Sequence, residues 1–110
     1  MQENRIYSFI GLARKAGRVA AGDFAAESAV KRGKAACVIL ARDASPNTAN
    51  KFSNCCSAKG VRLLRFGQKS ELGRILGREA YSVLAITDRR FSEKIEDMIK
   101  SLNHDFKEDC

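Results

Sequence analysis

Residues 35–41 read AACVILA, an apolar run with no polar interruption. A strand with one face in water alternates apolar and polar side chains, and this run does not alternate. The run therefore predicts a central strand that is covered by helices on both faces. Residues 82–87, SVLAIT, are almost as apolar and predict a second buried strand.

The segments before residue 35 predict a helix, a short strand and a second helix. The first helix is indicated by apolar residues at i, i+3, i+4 and i+7, namely Ile6, Phe9, Ile10 and Ala13. Residues 19–21 predict an edge strand. We expect the second helix to start at Asp23, whose carboxylate would accept a hydrogen bond from a free backbone N–H. Gly33 suits the left-handed residue that ends a helix.

The segments after residue 41 continue the alternation. Ser45-Pro46 predicts the start of a third helix, with an inward stripe formed by Phe52, Cys55 and Cys56. The remaining elements are a strand at 61–66, a short helix at 70–76 and a last helix capped by Asp88. The pattern predicts an α/β fold, a single-domain three-layer α/β/α sandwich around a small mixed sheet. We expect this domain to cover residues 1–102, with a short polar tail at 103–110.

The charge of the chain is uneven along its length. The net charge is +7, and residues 1–67 carry twelve basic and four acidic residues against eight and nine in residues 68–110. Such a basic half suggests a surface that faces a polyanion, which could be RNA, DNA or an anionic membrane. Alternatively, the basic side chains are scattered, solvated tips. No apolar run is long enough to span a membrane, and the start MQENRIYSF does not resemble a signal peptide. We therefore expect a cytoplasmic protein, a monomer with no membrane partner.

Motifs for catalysis or metal binding are missing from the sequence. It contains no phosphate-binding loop, dinucleotide fingerprint or nucleophile elbow, and its one histidine, His104, lies in the predicted tail. The four cysteines form no C-x-x-C pair, and Cys55-Cys56 is best explained by helix packing. We expect no enzyme activity, no cofactor and no metal.

Three segments carry a resemblance to a known family: IYSFIGLARKAGRVAAG (6–22), KRGKAACVILARDASP (31–46) and ELGRILGREAYSVLAITD (71–88). Together they resemble the kink-turn-binding ribosomal proteins of the archaeal and eukaryotic large subunit and their small bacterial members. The resemblance covers roughly residues 5 to 100. It implies an α/β/α sandwich that binds RNA with an internal kink, where tandem sheared G·A pairs open an unusual groove.

The resemblance also implies which residues touch RNA. The three places are the start of the second helix, the loop after the following strand and the loop before the last strand. They correspond to Gly22, Asp23, Phe24, Ala25 and Ser28, to Arg42 and Asp43, and to Arg78, Glu79, Ala80 and Tyr81. The basic residues expected to hold phosphates are Arg14, Lys15, Arg18, Lys31 and Arg32. Gly22 would let the backbone approach the RNA, and residues 78–81 would cover a protruding base.

The start of the second helix departs from the family pattern. The family has glycine, a small residue, Asn-Glu, and a lysine three positions after the Glu, and only the glycine is present here. Phe24 cannot accept a hydrogen bond, Ala25 has no carboxylate for a guanine amine, and Ser28 has no charge for a phosphate. Phe24 either stacks on an unpaired base or packs against the core as a hydrophobic staple.

Two functions are compatible with these observations. The first is non-enzymatic binding of structured RNA, kink-turn-like or ribosomal, by a protein working on or near the ribosome. The second is a protein–protein adaptor that kept the ribosomal-protein fold and lost kink-turn recognition. The second hypothesis rests on the missing Asn-Glu-Lys set and on the apolar run Phe24-Ala25-Ala26.

Overall fold

Helices and strands alternate along the part of the chain that the computed structural model describes, the backbone of residues 2–108 and the side chains of residues 2–102. In chain order they are α1 (Gln2–Lys15), β1 (Val19–Ala21), α2 (Asp23–Lys31), β2 (Cys37–Leu40), α3 (Pro46–Lys59), β3 (Arg62–Arg65), α4 (Lys69–Leu76), β4 (Val83–Ile86) and α5 (Arg89–Glu108). Every helix and strand expected from the sequence is present.

The four strands form one mixed sheet in the order β1-β4-β2-β3. β2 runs parallel to β3, whereas β4 runs antiparallel to both β1 and β2. β1, β2 and β3 therefore all point in one direction. The end of the sheet where these three strands end and β4 begins is called the carboxyl edge below. The opposite end is called the amino edge.

Helices cover both faces of the sheet. Every residue of β2 and β4 is buried, which explains why both strands are continuously apolar. Alternate residues of β2, such as Ile39 and Val38, point to opposite faces. One face packs against α1, α4 and α5, and the other against α2 and α3. The predicted α/β/α sandwich around a mixed sheet is confirmed.

The helix starts confirm two of the three caps expected from the sequence. The Ser45 hydroxyl accepts from the Thr48 N–H at 3.2 Å, and Asp88 Oδ1 accepts from the N–H groups of Arg90 and Phe91 at 2.8 and 3.1 Å. The third is wrong, because Gly22 occupies the N-cap position of α2 and no side chain caps this helix. Asp23 lies inside the first turn instead.

Two further features of the chain differ in extent from the sequence-based expectation. α5 continues through residue 108, so that most of the segment assigned to a polar tail is helical. Residues 109–110 and the side chain of His104 lie outside the described part of the chain. On α3, Phe52 and Cys56 are buried as expected, while Cys55 is only half-buried. None of the helices described is long and apolar enough to cross a lipid bilayer.

Candidate nucleic-acid interface

The three segments that the resemblance assigns to RNA meet at the carboxyl edge of the sheet. Strand pairing places Ala21 opposite Leu84 and Leu40 opposite Val83, so that β1 and β2 end where β4 begins. Backbone hydrogen bonds extend this pairing into the loops, from the Gly22 N–H to the Val83 carbonyl at 2.9 Å and from Ala41 N–H to Ser82 at 2.8 Å. The segments at residues 22–28, 42–43 and 78–81 are therefore neighbours in space.

Gly22 joins the first and third of these segments. Its φ of +99° belongs to the region that favours glycine. A Cβ built at this position would lie 3.3 Å from Cε1 of Tyr81, so the tyrosine ring packs directly against the Gly22 backbone. Glycine is therefore required here by an internal contact, apart from any approach to RNA. The ring of Tyr81 is half-buried.

The loop after β2 is held by two side chains. Asp43 Oδ1 accepts from the Lys69 N–H at 2.9 Å, which satisfies a free amide at the start of α4. The Arg65 guanidinium donates to the Arg42 carbonyl at 3.1 Å. The Arg42 side chain is exposed and lies 3.8 Å from a Glu3 carboxylate oxygen. Asp43 thus positions this loop, whereas the Arg42 guanidinium remains accessible to a ligand.

The loop before β4 lies directly on α4. A Cβ added to Gly73 would be 2.5 Å from both N and Cα of Ala80, which leaves no room for a side chain between them. The Arg78 N–H donates to the Gly73 carbonyl at 2.8 Å. Arg78, Glu79 and Ala80 are exposed to solvent at the carboxyl edge. Gly73 therefore determines how closely this loop approaches the rest of the site, and it was not among the predicted site residues.

The first two turns of α2 carry two carboxylates, Asp23 and Glu27, that are paired with lysines. Lys51 of α3 forms ion pairs with Asp23 and, at 3.0 Å, with Glu27. Glu27 also pairs with Lys31 at 3.0 Å. Hydrogen bonds from Lys51 and Lys31 lower the pKa of the Glu27 carboxyl, and those to Asp23 and Glu27 raise the pKa of Lys51. The negative charge that would oppose a phosphate at this helix start is thereby offset.

One face of α2 is open to solvent and is called the α2 face below. It borders a shallow groove of about 270 Å³ lined by Phe24, Glu27, Ser28, Lys31 and Arg32. The spacing of these residues places them along one side of the helix. The side chain of Phe24 is 85% exposed, so the hydrophobic-staple interpretation is wrong. The aromatic ring is instead presented at the start of the helix.

The basic residues expected to hold phosphates are divided between different parts of the molecule. Lys31 and Arg32 lie at the end of the α2 face that is remote from Gly22. Lys15 and Arg18 lie at the opposite, amino edge of the sheet, at the end of α1 and just before β1. The Arg14 guanidinium is beside Gly77 at the end of α4. The three RNA segments therefore meet at the carboxyl edge, whereas the predicted phosphate-binding cations lie at the ends of α1 and α2 and just before β1.

Metal binding and thiol chemistry find no support among the side chains of residues 2–102. These side chains contain no group of three histidine, cysteine or acidic residues that could hold a metal ion. Burial raises the pKa of the Cys37 and Cys56 thiols to about 11, which makes both poor nucleophiles at neutral pH. Cys55 stands beside Cys56 on α3 and contacts the core, consistent with a packing role.

The fold and this arrangement define a class of protein, the small α/β/α domain of ribosomal-protein type with three segments gathered at one sheet edge. A model of the Ribosomal protein L7Ae/L30e/S12e/Gadd45 family matches residues 4–96. The chain belongs to this family, as the sequence resemblance indicated.

Similar sequences and structures agree with this assignment. The chain is 34% identical over 89 residues to RNA-binding protein YlxQ of Bacillus subtilis (strain 168), covering 81% of this chain and 89% of that protein. It is 29% identical over 93 residues to RNA-binding protein YlxQ of Enterococcus faecium, covering 84% and 89%.

Two solved structures share the fold. A Bacillus halodurans protein of unknown function superposes with a TM-score of 0.82 at 29% identity, covering 86% of this chain and 96% of that one. A 15.5 kD RNA-binding protein of Giardia lamblia superposes with a TM-score of 0.75 at 23% identity, covering 94% and 88%.

Proposed function

We propose that this protein binds structured RNA, without catalysis, through the carboxyl edge of its sheet and the adjoining α2 face. The observation that carries the proposal is the aromatic ring of Phe24, 85% exposed at the start of α2 and beside the three gathered segments. Burying an aromatic ring is favourable, so a large ring left in water at such a place is a candidate contact residue. The names of the YlxQ relatives describe RNA-binding proteins and support the same function.

Several groups at this edge suit a phosphate backbone and unpaired bases. The start of α2 has backbone N–H groups and the positive end of a helix dipole, and no side chain caps it. The exposed side chains of Arg42 and Arg78 lie on the neighbouring loops, and Lys31 and Arg32 continue the positive charge along α2. In this proposal Phe24 stacks on a base, and the α2 amides and these cations contact phosphates.

We propose a kinked or internally looped RNA, including ribosomal RNA in the cytoplasm, as the ligand class. Proteins distinguish RNA sequences at splayed bases, because the major groove of an A-form helix is too narrow for side chains. The residues Phe24, Ala25 and Ser28 cannot supply the hydrogen bonds and charge of the family's usual Asn, Glu and Lys. Stacking by Phe24 therefore replaces part of the base readout, which predicts lower selectivity among kinked RNAs.

The test compares a fluorescein-labelled kink-turn RNA with a fully paired RNA of the same length. Replacing a stacked aromatic residue by alanine costs about 1–3 kcal/mol, so Phe24→Ala should raise the Kd for the kink-turn RNA by roughly 5- to 150-fold. Leu12→Ala is the matched control, because among the side chains of residues 2–102 Leu12 is the other exposed large apolar one, at 53%, and it lies on α1. Equal Kd values for the two variants would contradict the proposal.

The exposed ring also favours the alternative function, that of a protein–protein adaptor. Exposed aromatic side chains are frequent centres of protein interfaces. An adaptor predicts proteins that co-purify after nuclease treatment and are lost with Phe24→Ala but not with Leu12→Ala. The RNA proposal predicts that nuclease treatment releases such proteins, because the RNA would bridge them.

A further inference from the structure

The amino edge of the sheet carries exposed positive charge that the site at the carboxyl edge does not explain. Five cations from four chain segments lie there: Lys15, Arg18, Lys34, Arg89 and Arg90. The Thr87 N–H donates to the Arg18 carbonyl at 2.9 Å, which joins the start of β1 to the segment before α5. The Ala36 N–H donates to the Ile86 carbonyl at 2.7 Å and brings the start of β2 to the same place.

Acidic side chains compensate little of this charge. Asp88 is 3.8 Å from Arg18, and its other carboxylate oxygen caps α5. The remaining four cations of the amino edge form no ion pair with any side chain of residues 2–102. On α5 itself, Glu93 is one turn beyond Arg89 and exposed, and it does not lie within ion-pair distance of Arg89.

Two of these cations stand where the helix itself disfavours them. Basic residues at a helix C-terminus, such as Lys15 on α1, are stabilised by the helix dipole and need no further explanation. Arg89 and Arg90 occupy the first turn of α5, the positive end of its dipole, and this turn contains no acidic residue. The Asp88 carboxylate accepts from the Arg90 and Phe91 N–H groups and offsets part of this repulsion. Phosphates of a bound RNA, held by the two arginine side chains rather than by these amides, would offset the remainder.

We propose that the amino edge is a second RNA-binding surface, which holds phosphates of a regular RNA duplex while the carboxyl edge binds the kinked segment. This inference rests on the proposed function. Strands of four residues rise about 3.3 Å per residue, so the two edges are more than about 10 Å apart and face opposite ways. In this proposal the protein therefore contacts two segments of a folded RNA, one at each edge.

The experiment measures binding of a continuous, fully paired RNA duplex to the full chain over a range of salt concentrations. Arg89→Gln/Arg90→Gln removes two proposed phosphate contacts and should lower the slope of log affinity against log salt by about 1.8. Lys94→Gln/Lys100→Gln is the matched control, because both lysines are exposed on the same helix and the change in charge is equal. The control should keep the wild-type slope.

A thermal unfolding curve separates a binding role from a structural one. Removing two cations from the positive end of α5 should leave the Tm of Arg89→Gln/Arg90→Gln unchanged or higher. A lower Tm with unchanged duplex affinity would show that the arginines serve the fold and would overturn the inference. Equal salt slopes for the two double variants, or no duplex binding by the wild-type protein, would also overturn it.

The two proposals fail in distinguishable ways. Loss of duplex binding in Arg89→Gln/Arg90→Gln with the kink-turn affinity retained supports the amino edge independently of Phe24. If Phe24→Ala weakens binding of the kink-turn RNA while both double variants bind the duplex equally, the proposed function at the carboxyl edge is supported and the inference about the amino edge is overturned. Vesicles of phosphatidylglycerol form a third arm, and a charge effect seen on vesicles but not on duplex RNA would overturn the inference.

Discussion

The contact between Gly73 and the loop before β4 leads to a prediction whose size follows from the structure. In Gly73→Ala the new methyl group would lie 2.5 Å from N and Cα of Ala80 and 2.7 Å from the carbonyl carbon of Glu79. Carbon atoms in contact are normally about 3.5–4.0 Å apart, so the loop must move by about 1 Å. All three neighbours are backbone atoms, which cannot turn aside as the end of a flexible side chain would.

The expected change in the free energy of unfolding of Gly73→Ala combines two opposing effects. Forcing an extra methyl group into a packed site costs about 1–3 kcal/mol, and alanine gains about 0.8–1.0 kcal/mol over glycine inside a helix. The free energy of unfolding should therefore fall by about 0–2 kcal/mol. Gly11→Ala is the matched control, since Gly11 is also inside a helix and a Cβ there would meet nothing within 4 Å. The free energy of unfolding of Gly11→Ala should therefore rise by about 0.8–1.0 kcal/mol, from helix propensity alone.

Urea unfolding of both variants, followed by circular dichroism, tests this reasoning. We expect Gly73→Ala to be about 1–3 kcal/mol less stable than Gly11→Ala, a difference in Tm of roughly 4 °C per kcal/mol. The displaced loop carries Arg78, so Gly73→Ala should also weaken kink-turn RNA binding while Gly11→Ala does not. Equal stabilisation of the two variants would refute the claim that the loop rests against Gly73.

Two further predictions concern thiols and carboxylates. Iodoacetamide at pH 8 should modify Cys55 of the native protein well before Cys37 and Cys56, because a thiol pKa of about 11 leaves roughly one part in a thousand of these two as thiolate. Peptide mass mapping after a short exposure to the reagent checks this prediction. Early modification of Cys37 would contradict it. Lys51→Met removes the largest cause of the lowered pKa of Glu27, so this pKa should rise in a carboxyl NMR titration. Because the folded pKa is depressed, the stabilisation from these ion pairs is present above the unfolded pKa and lost as pH falls through the folded one. An unchanged Glu27 pKa in the variant would show that Lys51 does not contact it in solution.

The fold could be predicted because its signals are local. The run AACVILA and the segment SVLAIT are apolar in every core position, and only the two central strands of the sheet are covered on both faces. The Ser45-Pro46 start and the Asp88 cap are also short-range features, and both appear in the structure. The α2 cap prediction failed because Gly22 occupies the N-cap position, which leaves Asp23 inside the first turn, where its carboxylate pairs with Lys51, 28 positions away in the chain.

Most of the missed site features depend on distant contacts. Lys51, Arg65 and Gly73 contact site segments that lie 7 to 28 positions away in the chain. No spacing in the sequence predicts these contacts. Phe24 was misassigned for a related reason. A lone aromatic residue at a helix start can turn toward the core or toward water, and only the packing of the neighbouring elements decides between the two.

From the sequence, the basic residues of the chain were treated as one surface, whereas the fold places them at opposite ends of the sheet. An excess of basic residues in residues 1–67 suggested one basic face, yet β1, β2 and β3 carry their flanking residues to opposite ends of the sheet. A helix that precedes β1, β2 or β3 ends at the amino edge, where its dipole favours lysine and arginine for reasons of stability. Arg89 and Arg90 differ, because they begin a helix at that edge and gain nothing from its dipole. Charge that is unfavourable for the fold is the better indicator of a ligand, and by this criterion Arg89 and Arg90 are the main support for the proposed second RNA-binding surface.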